Sequence, residues 1–160
     1  MVKNKIYLLE NLLQEVEQWK QQNFTIVFTN GCFDILHLGH VDYLEKARNL
    51  GDKLIIGLNS DNSIKRIKGA GRPIISEDSR AKVLASLMFV DAVILFNEDT
   101  PYELIKAIKP DILIKGNDYG IENIVGGDFV ISNGGKVCTI DLVPGYSTTR
   151  IVNKIKEYDK

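Results

Sequence analysis

Two histidines occur in the chain, His37 and His40, three residues apart in the run Gly31-Cys-Phe-Asp-Ile-Leu-His-Leu-Gly-His40. At the start of a helix, that spacing lets both rings face one side. Gly39 between them removes a side chain where an anion would approach the backbone. A helix N-terminus adds free N–H donors and the positive end of a dipole, which together suit an anion. Two imidazoles there can donate hydrogen bonds to phosphoryl oxygens and stabilise charge developing in a transition state. The plainer alternative is a pair of capping or surface histidines. A metal pair is the other rival, but no further His or acidic cluster completes a shell, and Cys32 alone would not. Phosphate binding outranks both, and no metal-ligating set is expected.

Alternating strands and helices must position these groups. Leu9, Leu12, Leu13, Val16 and Trp19 recur at helical spacing. Apolar strands are expected at 25–29, 53–58, 92–96, 111–114 and 136–140. Between them lie a helical pattern at about 39–50 and a polar, basic stretch at 59–73. Helices then open at Ser76, which caps one running to about Phe89, at Thr100-Pro101, and at Ser147. The segment from 117 to 135 reads as irregular. This pattern implies an α/β fold: a Rossmann-like, doubly wound parallel sheet of five strands. One domain is expected over 1–160, with an N-terminal helix in 1–23 and the Rossmann-like core in 24–160. In open α/β sheets ligands bind beyond the carboxyl ends of the strands. The residues following each strand are therefore the candidates, and Lys115-Gly116 is one such strand end.

Composition narrows the partners. The 160 residues carry 20 Lys and Arg against 21 Asp and Glu, a net charge of −1. No basic excess is available to attract nucleic acid or an acidic membrane, so neither is an expected partner. Two distant cysteines, Cys32 and Cys138, make no disulfide framework, and the N-terminus has no signal-peptide core. No apolar run approaches the ~20 residues needed to span a bilayer. A soluble, cytoplasmic protein is expected.

The run Gly31 to His40 resembles the GxFDxxHxGH signature of the HxGH nucleotidyltransferase superfamily, and Ser147-Thr-Thr-Arg150 resembles its second motif. Thr29-Asn-Gly31, Asn59-Ser-Asp61, Lys68-Gly69 with Arg72-Pro73, Asp99-Thr-Pro101, Lys115-Gly-Asn-Asp-Tyr119 and Asn133-Gly-Gly135 resemble the adenylyltransferase domain of bacterial heptose 1-phosphate enzymes. The likeness runs from about residue 24 to the end. It implies one in-line displacement: a sugar phosphate oxygen attacks the α-phosphate of ATP, and pyrophosphate leaves. Such chemistry rests on positioning and charge stabilisation.

The resemblance implies a catalytic role for His37, His40 and Lys68. It places Asn30, Gly31, Phe33, Asp34, Gly39, Asp61, Lys115, Gly116, Ser147 and Thr148 about the nucleotide. Asn59, Arg72, Arg80 and Asp118 fall to the second substrate. Mg²⁺ would travel on the nucleotide phosphates, since it keeps waters and uses few protein ligands. Several residues carry a structural alternative. Asp34 either makes a turn or cap or orients the first loop or a Mg²⁺-bound water, and Asp61 either caps a helix or meets the nucleotide. Arg72 supports its turn or reaches substrate, and Arg80 is a surface residue or a phosphate ligand. Ser147 and Thr148 cap a helix in either case.

The nearest rival is a cytidylyltransferase acting on glycerol 3-phosphate. Its Arg before the second motif is Leu142 here, and its Trp in the fourth-strand loop is Tyr119. A class I aminoacyl-tRNA synthetase shares the HxGH chemistry but needs tRNA-binding domains that 160 residues cannot hold. A catalytically dead nucleotide sensor would have lost a histidine or the basic loop. Family resemblance also implies a homodimer, with a separate heptose kinase supplying the sugar phosphate.

Overall fold

The computed structural model describes residues 2–117 and 120–158. Six strands, β1 (Ile6–Tyr7), β2 (Ile26–Gly31), β3 (Lys53–Asn59), β4 (Ala92–Phe96), β5 (Ile112–Gly116) and β6 (Lys136–Ile140), form one sheet in the order β1-β4-β3-β2-β5-β6. Every pairing is parallel. Among the described residues, seven helices surround it: α1 (Leu9–Gln21), α2 (Leu38–Arg48), α3 (Asp61–Lys68), α4 (Glu77–Ala85), α5 (Tyr102–Ile108), α6 (Gly127–Ser132) and α7 (Thr148–Tyr158).

The strands are apolar on both faces because both faces are covered. Ile26, Phe28, Ile55 and Ile94 point to one side and pack with Leu12, Val16 and Trp19 of α1 and Leu104, Ile105 and Ile108 of α5. The alternate residues Val27, Leu54, Ile56 and Val93 point to the other, against Leu44 and Ala47 of α2 and Ala81 and Leu84 of α4. Each fully buried Leu or Ile stabilises this three-layer arrangement by about 2 kcal/mol.

The sheet has one strand more than the five expected. β1 covers two residues, too few to show alternation, and it runs into the periodic helix that follows. Only pairing with a distant strand, Ile6 with Val93 and Tyr7 with Ile94, makes it a strand. The N-terminal 1–23 is thus a short 3-10 turn at Val2–Lys5, a strand and a helix. Half of the basic stretch is helix α3, and the irregular segment holds a 3-10 turn at Ile121–Asn123 and α6. Helix α4 stops at Ala85 rather than Phe89, and Ser76 occupies its N-cap position without a side-chain cap bond.

The topology dictates where a ligand fits. Strand order reverses at β2, whose neighbours are β3 and β5. β2 pairs with β3 along Ile26–Gly31 but with β5 only at Val27 and Phe28. Beyond Phe28 the ladder to β5 ends, and the Thr29 hydroxyl spans the gap instead, donating to the Ile114 carbonyl at 3.1 Å. Its one proton is then spent, so the Tyr43 hydroxyl, 2.7 Å away, donates to it. A crevice opens at this switch point, on the carboxyl side of the sheet.

Candidate active site

The crevice widens into a cavity of about 790 Å³. His37 is the N-cap residue of α2, in extended conformation, and His40 sits in the first turn. The two rings stack, with centroids 3.8 Å apart and planes at 17°. Phe33 meets His40 edge-on at 5.2 Å, and Tyr146 covers the other face of the pair, 6.5 Å from His37. A Cβ on Gly39 would lie 3.0 Å from the His37 ring and 3.2 Å from the Tyr146 Cβ, so any other residue would make both neighbours give by a few tenths of an ångström.

Both Nδ1 atoms are buried and lack a hydrogen-bond partner, as does the Asn30 Oδ1 at the end of β2. Buried polar atoms are nearly always satisfied, so three orphans on one cavity wall mark where a polar ligand belongs. The N-terminus of α7 enters the same cavity. There Ser147 Oγ accepts from the Arg150 N–H at 3.1 Å, the expected cap, which leaves the N–H groups of Thr148 and Thr149 without intrahelical acceptors. Two helix N-termini therefore converge on one space.

Protonation follows from burial. Desolvation pushes His40 down to about 4, with the neighbouring His37 and Lys68 acting the same way and the Ile35 carbonyl opposing them. Burial also lowers His37. Near neutral pH both rings are neutral N–H donors. The consequence for stability has a definite sign. A histidine whose folded pKa lies below its unfolded value leaves the unfolded chain binding more protons as pH falls. The stability is therefore full above pH ~6.5 and is lost as pH drops toward 4. Between pH 7 and 5 the protein should lose roughly 2 kcal/mol from this source, and His40→Asn should flatten that slope. Calorimetric unfolding at both pH values measures it; parallel slopes in the two proteins would refute it.

Asp34 is buried and anchors the loop after α3. Its carboxylate accepts from the Ile74 N–H at 2.8 Å, the Ile75 N–H at 2.9 Å and the Arg72 guanidinium at 2.9 Å. Burial alone would raise its pKa, but these donors outweigh it and hold the carboxyl below the usual range. Asp34 thus holds the loop at Ile74 and Ile75 while itself lining the cavity. Arg72 supports its turn through the same bond and also lines the cavity.

Lys68, the last residue of α3, lies exposed at the rim, and Arg66 of that helix is tied to Asp99 and the Asn97 carbonyl. Lys115 and Gly116 line the β5 side, with the Lys115 ammonium 3.4 Å from the Asn30 carbonyl. Gly31, Phe33 and Asn59 are in the lining too, Asn59 with its amide donating to Ser63. Asp118 lies outside the described residues.

Two expected ligands are elsewhere. Arg80 is fully buried and not in the cavity lining, and its guanidinium is engaged by protein acceptors. An amphipathic helix explains a surface arginine, but this one faces the core. Asp61 is the acidic partner of Arg80, at 2.7 Å, and also lies off the lining. It does not cap α3 either: Ser60 does, accepting from the Ser63 N–H at 3.1 Å. Sequence reasoning missed Tyr146 and the apolar wall of Ile124, Val125, Leu142 and Val143. Only Tyr146 carried a signal, standing directly before the Ser147 cap.

Among known proteins, the chain is 57% identical over 95% of its length to "Bifunctional protein HldE" of Methylobacillus flagellatus and 55% identical over 95% to that of Helicobacter pylori. It spans 31% of the length of either relative. A crystal structure of "the lipopolysaccharide core biosynthesis protein" from Thermoplasma volcanium superposes with a TM-score of 0.60 and 30% identity, covering 75% of this chain and 97% of that one. A family profile described as cytidylyltransferase-like matches residues 28–154, from within β2 to within α7, a span that holds every residue lining the cavity. Paired histidines, converging helix ends and sequence relationship thus agree, and the chain belongs to the cytidylyltransferase-like family.

Proposed function

We propose that this chain is an adenylyltransferase that joins ATP to D-glycero-D-manno-heptose 1-phosphate, giving ADP-heptose and pyrophosphate. The observation that carries the reading is the stacked pair His37–His40, neutral and with unpartnered Nδ1 atoms, between two helix N-termini. A neutral imidazole carries one N–H that can donate to a phosphoryl oxygen. A sugar phosphate oxygen forms a bond to the α-phosphorus as the bond to the bridging oxygen of pyrophosphate breaks. The negative charge moves to the leaving group, where imidazole N–H groups, Lys68 and the α7 N-terminus stabilise it.

The heptose assignment is supported by the ordered motif set and by the relationship to the HldE and lipopolysaccharide core proteins. The glycerol 3-phosphate alternative is disfavoured by Leu142, which presents apolar surface to the cavity where that group has arginine. A divalent ion fits this site as part of the nucleotide. Among the described residues no group of three or more His, Cys, Asp or Glu could hold one, and Asp34 is committed to Ile74, Ile75 and Arg72. When bound, Mg²⁺ supplies charge neutralisation on phosphate oxygens, and the chain's part is to hold those phosphates. A sugar kinase activity must supply the second substrate. Two free thiols, and no described helix long and apolar enough to cross a membrane, support a reducing cytoplasmic setting. A homodimer is the assembly we infer from family resemblance.

Pyrophosphate release should occur with ATP and heptose 1-phosphate, and not with CTP and glycerol 3-phosphate. Turnover only with the latter pair would sink the substrate assignment. An ATP-induced thermal shift without pyrophosphate from any sugar 1-phosphate would instead indicate a nucleotide sensor.

A further inference from the structure

Arg80 is the largest side chain in the fully buried set, and charged residues are almost never there unless something recruits them. Its Nε donates to the Ile75 carbonyl at 2.9 Å. One terminal nitrogen donates to the Cys32 carbonyl at 2.7 Å and the Asn59 carbonyl at 2.9 Å. The other meets Asp61 at 2.7 Å. These four acceptors come from four places that the sheet alone does not hold together. Cys32 begins the signature loop, directly before Phe33, which has a φ of 45° and packs on His40. Asn59 ends β3, Asp61 opens α3, and Ile75 closes the basic loop. Glu77 completes the junction by accepting from the Asp61 N–H at 2.6 Å. The Ile75 N–H, on the same residue, is held by Asp34.

We propose that Arg80 is a positioning residue: its guanidinium locks the signature loop, the start of α3 and the end of the basic loop into one geometry, and so sets the histidine pair and Lys68 about the phosphates. It acts through these segments and touches no substrate, being absent from the cavity lining. The fork of a guanidinium can serve four acceptors in one plane, which a lysine ammonium cannot. The role rests on the phosphoryl-transfer reading of the site, but its test need not.

The experiment uses the full chain with Arg80→Lys and Asp61→Asn, the latter keeping an acceptor oxygen for Arg80 if the former fails to fold. The wild type serves as control for the reaction itself. Steady-state pyrophosphate release, run well below each unfolding midpoint, should show kcat lowered about thirtyfold in R80K and about fivefold in D61N, with both KM values within about threefold. With two histidines in the chain, ¹⁵N-labelled imidazole signals report the pair directly. They should be displaced in both variants before any substrate is added, so that readout stands even if the wild type proves inactive on the sugar. A raised KM for sugar phosphate with kcat kept would make Arg80 a substrate ligand and overturn the proposal. Lowered melting temperature with unchanged kcat and unchanged imidazole signals would overturn it as well, leaving a merely structural arginine.

Discussion

His40→Ala lowers kcat by at least about a hundredfold while the fold survives, because the lost group acts on developing charge rather than on packing. The fold should tolerate the change for reasons visible in the site. The Nδ1 of His40 has no protein partner, so removal of the ring takes a donor only from the Ile35 carbonyl. Position 40 lies in the first turn of α2, where alanine is a good helix former. At acid pH the variant should even lose less stability than the wild type, since the buried ring no longer resists protonation. The catalytic cost is of another kind. The ring is held between His37 and Phe33, and so meets the phosphates already oriented. Water entering the vacated space cannot reproduce a fixed donor without reorganising during reaction. Steady-state kinetics with circular dichroism at the same temperature separates the two effects. A variant of near-normal rate would remove the histidines from the mechanism.

Asp34→Ala should cost about 3 kcal/mol of stability at neutral pH, as expected when the acceptor of a buried ion pair with backbone donors is removed. Two N–H groups, of Ile74 and Ile75, would lose their acceptor, and Arg72 its counter-charge. Because Arg72 is partly exposed, its guanidinium can turn to solvent, which keeps the cost below that of a fully buried pair. The segment 72–75 would come loose, and with it the cavity wall that Arg72 forms, so the KM for sugar phosphate should rise about tenfold. The pH dependence has its own sign. A carboxyl held below its usual range stabilises fully above its unfolded value near 4, and that contribution disappears as pH falls through the folded value. Urea unfolding of both proteins at pH 7 and pH 3.5 should therefore show the gap narrowing in acid. A variant within about half a kcal/mol of wild type at pH 7 would refute the anchoring role.

The candidate histidine pair and the helix start at Ser147 were legible because each is local. A helix N-terminus, a glycine and two imidazoles lie within four residues, and the cap bond of Ser147 spans three. Strands β3 to β6 were legible for a similar reason, since burial on both faces leaves continuous apolar runs. What misled was any role set by a partner far along the chain. Arg80 carried the right chemistry for a phosphate site and Asp61 read as a nucleotide contact, yet the two pair with each other, and the carbonyls of Cys32 and Asn59 hold Arg80 as well. Strand β1 is a strand only through Val93 and Ile94. Helix α6 stayed hidden in a segment that its flanking glycines made look irregular.

The sequence by itself determined the layer order, the candidate phosphate-binding groups and the near-neutral total charge. That total of −1 conceals three cations, Lys68, Arg72 and Lys115, gathered at one cavity. Tertiary structure alone decided three things: that His37 and His40 stack as neutral donors, that Asp34 is an anchor, and that Arg80 lies within the core. The physical reason is desolvation. Protonation state and hydrogen-bond assignment depend on which groups fold around a side chain and exclude water, and those groups lie tens of residues away along the chain.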